Sequence, residues 1–260
     1  MQLDSIDNGK AFDFGNVSDA YAQYRDIYPK SMYDKLTAFG IGKNGQQILD
    51  LGSGTAILPM NLYHTGAVFT ATDISDNQIR FGQQLARQKG MSIRFRVCPA
   101  ENTGFDDSQF DVVTAVQCFH YFDSEKAARE IHRILKPHGL FCKIFMDWLP
   151  YEDKKIMEME QLVLQYNPQW SGGGFRQFAY TFPQWAENRF AISTIHSYNT
   201  LLSFTKEQWI GRIKSCRGIG ASLSPEKTAA FENEYRHLLA NDTEPLQLLH
   251  QIHIEIYRSI

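Results

Sequence analysis

The stretch Ile48-Leu49-Asp50-Leu51-Gly52-Ser53-Gly54-Thr55 constrains this chain more than any other. An apolar run carrying one acid meets two glycines with a single residue between them. That is the pattern of a buried strand breaking into a tight turn ahead of a helix. Glycine at 52 and 54 permits a positive φ and lets a ligand lie against the main chain. A second strand over 68–72 runs into Asp73. Asp73 follows Gly54 by 19 positions, close to the roughly 20 at which a strand-end acid meets a ribose in nucleotide-binding βαβ units. The pair is expected to hold the adenosyl part of a cofactor.

Strand and helix alternate around that turn. Helices are expected over 31–39, 57–63, 77–88 and 124–135, with Pro59 confined to a first turn and Ser75 or Asp76 as a cap. Strands are expected over 92–97, 111–116 and 140–145, the last preceded by Lys136-Pro137-His138-Gly139 as a stop signal. Five such alternations make a parallel sheet with right-handed crossovers the economical architecture. The pattern then changes. Residues 154–165 form an amphipathic helix, and 169–188 show no clear period. Residues 190–204 read as a strand or a hairpin. Thr205 caps a helix to 215, Ser224-Pro225 opens another to 240, and 246–260 reads as a final strand that could pair across a dimer.

Composition narrows the function classes. The 260 residues are 43% hydrophobic and 21% charged, with a net charge of −3, which gives no electrostatic footprint for a nucleic-acid backbone. Cys98, Cys118, Cys142 and Cys216 are scattered without a CxxC pair, so no metal-ligand set is expected. Residues 1–16 lack the basic and apolar regions of a signal peptide, and no apolar run approaches about 18 residues. A cytoplasmic protein without a membrane or nucleic-acid partner follows as the expectation.

A nicotinamide enzyme would place a third glycine at position 57, which is Ile57. Five blocks instead recur in order: Ile48 to Thr55; Thr72-Asp73-Ile74-Ser75; Ala100-Glu101; Phe110-Asp111-Val112-Val113-Thr114-Ala115; and Arg133-Ile134-Leu135-Lys136-Pro137-His138-Gly139-Leu140. On these the chain resembles the class I S-adenosylmethionine-dependent methyltransferases, in the small-molecule branch of the trans-aconitate and ubiquinone/menaquinone-pathway enzymes. His120-Tyr121-Phe122-Asp123 is similar to the His-Trp-Phe-Asp block of the trans-aconitate-like members. The resemblance covers roughly residues 10–150 well and the rest loosely.

The resemblance implies a Rossmann-like α/β fold: a mostly parallel seven-stranded sheet, helices on both faces and an insertion after strand five. It implies one domain over 1–260. Residues 1–40 would be an N-terminal lid, 41–150 the cofactor core, 151–190 a substrate-covering insertion, and 191–260 the strands and helices that complete the sheet. The cofactor would be S-adenosylmethionine and its product S-adenosylhomocysteine. Asp50, Gly52, Ser53 and Gly54 would line the methionine moiety, Asp73 would bind the ribose and Ile74 the adenine face. Ala100 and Glu101 would meet the adenine edge, and Gln117 would lie near the sulfonium. Two positions depart from the family pattern. Ala56 stands where glycine is frequent, and Pro99 where an aspartate often meets the adenine amino group.

Methyl transfer from a sulfonium needs an aligned nucleophile and excluded water, and needs a base only when the nucleophile is protonated. His120 and Tyr121 are the catalytic candidates, because they follow strand four at the carboxyl edge. Tyr21 and Arg25 would share a helix face as closing groups. Trp148 and Arg176 are further substrate candidates, with Arg176 meeting an anionic group. The acceptor would be a small O-, N- or C-nucleophile, such as a carboxylate or a phenol. A methyltransferase acting on RNA or protein, or a non-catalytic S-adenosylmethionine-binding protein, is the alternative, as a monomer or a homodimer. Asp73 as a mere helix-terminal acid, Glu101 as a solvated loop acid and His120 as a satisfied core histidine or a turn residue remain open on the residues alone. So does Gly172-Gly173-Gly174 as a flexible loop, a gate or an anion nest.

Overall fold

The computed structural model describes residues 6–14, 24 and 27–260. They divide into two compact units. One is built from Tyr28–Met146, Phe178–Tyr198 and Ile252–Ile260; the other takes the described part of Met1–Ile27 with Asp147–Gln177 and Asn199–Gln251.

Seven strands form the sheet: β1 Gln47–Leu51, β2 Val68–Asp73, β3 Arg94–Val97, β4 Phe110–Val116, β5 Leu135–Trp148, β6 Phe190–Phe204 and β7 Leu246–Ser259. Their spatial order is β3-β2-β1-β4-β5-β7-β6. β1 pairs in parallel with β2 and β4, β2 with β3, and β4 with β5. The chain order reverses between β1 and β4, so the carboxyl ends of these two strands flank the switch point where open α/β sheets bind ligands. Four of the five β1 residues and four consecutive β2 residues are buried. Burial of successive, oppositely pointing side chains means that both sheet faces are covered there.

The first unit carries helices α1 Lys30–Ala38, α2 Ile57–Leu62, α3 Asp76–Gln88 and α4 Ser124–Ile134. Ser75 caps α3 by accepting from the Gln78 N–H, and Asp123 caps α4 through Lys126. One core joins Leu49, Leu51, Val113, Ala115 and Phe141 to Ala127, Ala128, Ile131 and Ile134 of α4. A smaller one joins Ala56, Met60, Ala71 and Ala86. The second unit carries α5 Lys154–Tyr166, α6 Lys206–Lys214 and α7 Pro225–Leu238, with α7 packed on both others. Thr205 and Gln208 close a reciprocal capping box on α6.

Two expectations change and one alternative is settled. The Lys136-Pro137-His138-Gly139 stop is a bulge inside β5. Leu135 already pairs with Phe110, and Leu140 pairs with Val112. The surplus residues loop out, with His138 at φ 62. Residues 190–204 form one strand and no hairpin. β7 has β5 on one side and β6 on the other, so it cannot pair with a second copy. Ser197 bonds His253, Asn199 bonds Gln251 and Ser203 bonds Gln247. One partner's number falls as the other's rises, so β6 and β7 run antiparallel.

Candidate cofactor site at the carboxyl edge

The turn after β1 is built from left-handed residues. Gly52 (φ 57), Gly54 (φ 55) and Ala56 (φ 63) all adopt positive φ, and so does Gln117 (φ 58) at the end of β4. Ala56 holds this conformation with a Cβ, a cost that a packed surrounding must sustain. A side chain at Gly52 would place its Cβ 2.9 Å from the Cβ and Sγ of Cys118. Cys118 in turn donates its thiol to the Leu51 carbonyl at 3.1 Å, and burial pushes that thiol well above the usual range. Cys118 thereby braces the glycine turn. A Cβ on Gly82, in mid-α3, would stand 2.8 Å from the Phe95 ring and 3.2 Å from the Thr55 carbonyl. Gly82 thus brings α3 against the turn. Its signal in the sequence was a glycine inside a helix, where propensity disfavours it by about 1 kcal/mol.

Asp73 sits across from the turn. One carboxylate oxygen accepts the Gly54 N–H at 2.9 Å and the other the Ser75 N–H at 2.8 Å. Burial pushes this carboxyl up, and hydrogen bonds from Ser75, Gly54 and Ile74 pull against it. Both oxygens retain lone-pair directions for further donors. Ile74, beside it, is 60% exposed. An uncovered aliphatic side chain next to a braced carboxylate fits an adenosine, with the ring on Ile74 and the hydroxyls on Asp73. The Ser53 N–H donates to the Thr72 carbonyl at 2.8 Å and ties the turn to β2.

Asp50 is more buried than its expected role requires. Its carboxyl is 2% exposed and accepts the Thr114 hydroxyl at 2.6 Å. Burial, partly offset by the Thr114 bond and reinforced by the Asp73 charge, pushes it up to about 7. An acid raised on folding binds its proton more tightly in the folded state. Its contribution to stability is complete below about pH 4 and is lost as pH rises from there to about 7. Asp50→Asn is therefore expected to melt near wild type at pH 4 and above it at pH 8, by up to a few kcal/mol. Thermal melts of the two proteins across that range check this. Equal pH dependence of both would place the raised proton elsewhere.

Glu101 is half-buried and tied to the fold. Its Oε1 accepts the Asp123 N–H at 2.9 Å and ties the loop after β3 to the start of α4. Ala100 beside it is buried. The Gln117 side-chain amide donates to the Met146 carbonyl, which turns it toward the end of β5. His120 and Tyr121 lie on a short helical turn after β4. Their rings stand 3.9 Å apart, and the His120 ring is 5.6 Å from Phe145. His120 is exposed and Tyr121 half-buried. The named cofactor residues and the catalytic pair all belong to the first unit.

Trp148 and Arg176 belong to the second unit. Trp148 is buried, and its indole N–H donates to Glu160 at 2.6 Å. Arg176 is exposed, stacks 4.0 Å over the Tyr151 ring, and lines a shallow cleft of about 240 Å³ with Leu149, Glu152, Phe175 and Gln177. The triple glycine resolves differently from a loose loop. Glu160, itself buried, accepts the Gly174 N–H at 2.8 Å. A Cβ on Gly173 would stand 2.9 Å from Trp170 and 3.1 Å from Glu160. The Glu160 carboxylate thus ties this glycine segment to α5. Tyr21 and Arg25 lie outside the described residues.

Residues 49–142 match the family model of the methyltransferase domain. The chain is 29% identical, over 150 residues, to a ubiquinone/menaquinone biosynthesis C-methyltransferase of Cupriavidus metallidurans, a match covering 54% of this chain and 61% of that protein. A type II methyltransferase structure from Anaeromyxobacter dehalogenans shares the fold with a TM-score of 0.57 at 19% identity, covering 89% and 96% of the two chains. A geranyl diphosphate methyltransferase solved in complex with S-adenosylmethionine is similar at TM-score 0.50 and 17% identity, covering 89% and 85%. The chain spans about half the length of the curated relatives it matches. No helix among the described residues is long and apolar enough to cross a membrane. With the seven-stranded order and the glycine turn in place, residues 49–142 are a methyltransferase domain, and the sheet around them has the fold of solved methyltransferases.

Proposed function

We propose that this chain transfers the methyl group of S-adenosylmethionine to a small-molecule acceptor in the cytoplasm. The observation that carries this reading is the pairing of the braced Asp73 carboxylate with the exposed Ile74 beside a left-handed glycine turn. Asp73 binds the ribose hydroxyls, Ile74 packs on the adenine, and Ala100 and Glu101 border its edge. The backbone at Gly52, Ser53 and Gly54 receives the methionine end, with Asp50 behind it. The cofactor supplies an electrophilic methyl on a cationic sulfur, so displacement by a nucleophile needs no metal ligand from the chain. The chain's own work is orientation and exclusion of water, worth several kcal/mol.

His120 and Tyr121 supply the chemistry on the acceptor side. An exposed imidazole held against Tyr121 and Phe145 accepts the proton of a phenol or an enol as the methyl arrives. A carboxylate acceptor would need no such group. The relative named as a ubiquinone/menaquinone biosynthesis C-methyltransferase supports a small-molecule acceptor. Net charge −3 supports a small molecule over a nucleic acid.

The test is a screen of phenols, quinols and small carboxylates with methyl-labelled S-adenosylmethionine, reading labelled product and S-adenosylhomocysteine. Turnover is expected with a phenol- or enol-type acceptor. His120→Ala is expected to lower kcat by about 10²-fold or more while leaving cofactor affinity unchanged. Tight cofactor binding with no product from any acceptor class would leave a binding protein instead. An unchanged kcat in His120→Ala would remove the histidine from the chemistry.

A further inference from the structure

The strand β6 ends the sheet order, and among the described residues no strand lies on its other side. It is also long, at 15 residues. Soluble proteins blunt such an edge with charges, prolines, bulges or short length, because its unpaired N–H and C=O groups template pairing with another chain. Phe190–Phe204 reads Phe-Ala-Ile-Ser-Thr-Ile-His-Ser-Tyr-Asn-Thr-Leu-Leu-Ser-Phe. It contains no Lys, Arg, Asp, Glu, Pro or Gly. Three of its aliphatic side chains stand in the open: Ile192 at 37%, Ile195 at 43% and Leu201 at 59%.

We infer that the β6 edge is the contact between two copies of this chain, joined as antiparallel β6 strands across a two-fold axis. Charge favours a second copy as the occupant. In an isologous contact the strand meets itself, and a strand without charges brings no like-charged pair together at any register. Size agrees as well. At about 3.3 Å per residue the strand is about 50 Å long, and a sheet edge about 10 Å thick then covers on the order of 500 Å² per copy. The resulting total of about 1,000 Å² reaches the lower limit of a specific interface. Ser197, Asn199 and Ser203 bond across to His253, Gln251 and Gln247, which ties the inner side of β6 to β7. The contact joins two sheets into one continuous sheet and makes no demand on the cofactor site.

Sedimentation velocity at about 100 µM, well above a Kd of about 1 µM, tests this with three single variants. Wild type is expected to sediment as a dimer. Ile195→Lys and Leu201→Lys place a charge on the exposed strand and are expected to give monomers with an unchanged far-ultraviolet circular dichroism spectrum and a melting temperature lowered only by the loss of association. Leu238→Lys, on α7 and 47% exposed, is expected to remain dimeric. Hydrogen exchange should show slow β6 amides in wild type and faster ones in both edge variants. A monomeric wild type overturns the inference, whether its β6 amides exchange slowly, as under another segment of its own chain, or fast, as at an open edge. A dimer that survives both edge substitutions also overturns it and moves the contact to another surface.

Discussion

Replacing Asp73 with alanine is expected to weaken binding of S-adenosylmethionine and S-adenosylhomocysteine alike, by about 100-fold or more. Two hydroxyls bonded to an ionised carboxylate contribute about 1.5 kcal/mol or more each, and about 3 kcal/mol is a factor of about 100 in Kd. The two ligands share the ribose, so the loss should not depend on the methyl group or its charge. The same carboxylate holds the N–H groups of Gly54 and Ser75. Its removal therefore also loosens the glycine turn and the start of α3. Asp73→Asn keeps one carbonyl acceptor and should lose about tenfold. Isothermal titration of the three proteins with both ligands measures this. Binding by the alanine variant within about threefold of wild type would mean that Asp73 serves the fold alone.

The second large effect concerns a buried ionic cluster. Glu255 on β7 accepts from Lys143 Nζ at 2.7 Å, His253 Nε2 at 2.9 Å and the Tyr257 hydroxyl at 2.5 Å. Both ends of the ion pair are largely buried, at 14% and 8% exposure. Burial alone would raise the Glu255 carboxyl. The His253 bond, the Lys143 charge and the Tyr257 hydroxyl outweigh it and hold the carboxyl at about 2. For Tyr257, burial and its bond to the carboxylate both push the phenol up.

Glu255→Ala is expected to destabilise the protein by about 3–5 kcal/mol, because it strands the Lys143 ammonium without its counter-charge. Glu255→Gln, which keeps the shape, should cost less. Adding Lys143→Met to it should recover much of the loss, since the unpaired charge is then gone. The pH dependence follows from the direction of the shift. A depressed carboxyl contributes its stability in full above its unfolded value of about 4.5, and loses it as pH falls toward about 2. Urea melts of wild type should weaken across that window, and melts of the double variant should weaken less. A small cost of Glu255→Ala at neutral pH would show that water reaches Lys143 once the carboxylate is removed.

Much of the core was legible because it depends on local chemistry. The glycines of the turn, the caps at Ser75 and Thr205, and the apolar strands 68–73 and 110–116 are dictated by neighbours in sequence. The spacing from Gly54 to Asp73 singles out the pair as one site, and the Gly54 N–H donates to the Asp73 carboxylate. Proline and glycine at 137 and 139 signal a stop as readily as a bulge, and only pairing with β4 distinguishes the two.

Other features had no local signal. Thr114 binds Asp50 across 64 positions, and Cys118 fills the space that Gly52 leaves. Glu101 finds Asp123, and Glu160 finds Gly174. None of these pairs shares a turn or a helix face, so no periodicity could join them. The sequence by itself determined the βα alternation, the glycine turn and the acid that faces it, because backbone freedom and hydrophobic period are properties of short stretches. Tertiary structure decided that Asp50 is buried, that Glu255 holds a lysine, and that β6 lies at the edge with β7 inside it. Those outcomes depend on which distant strands become neighbours, and strand order is set by packing the whole sheet.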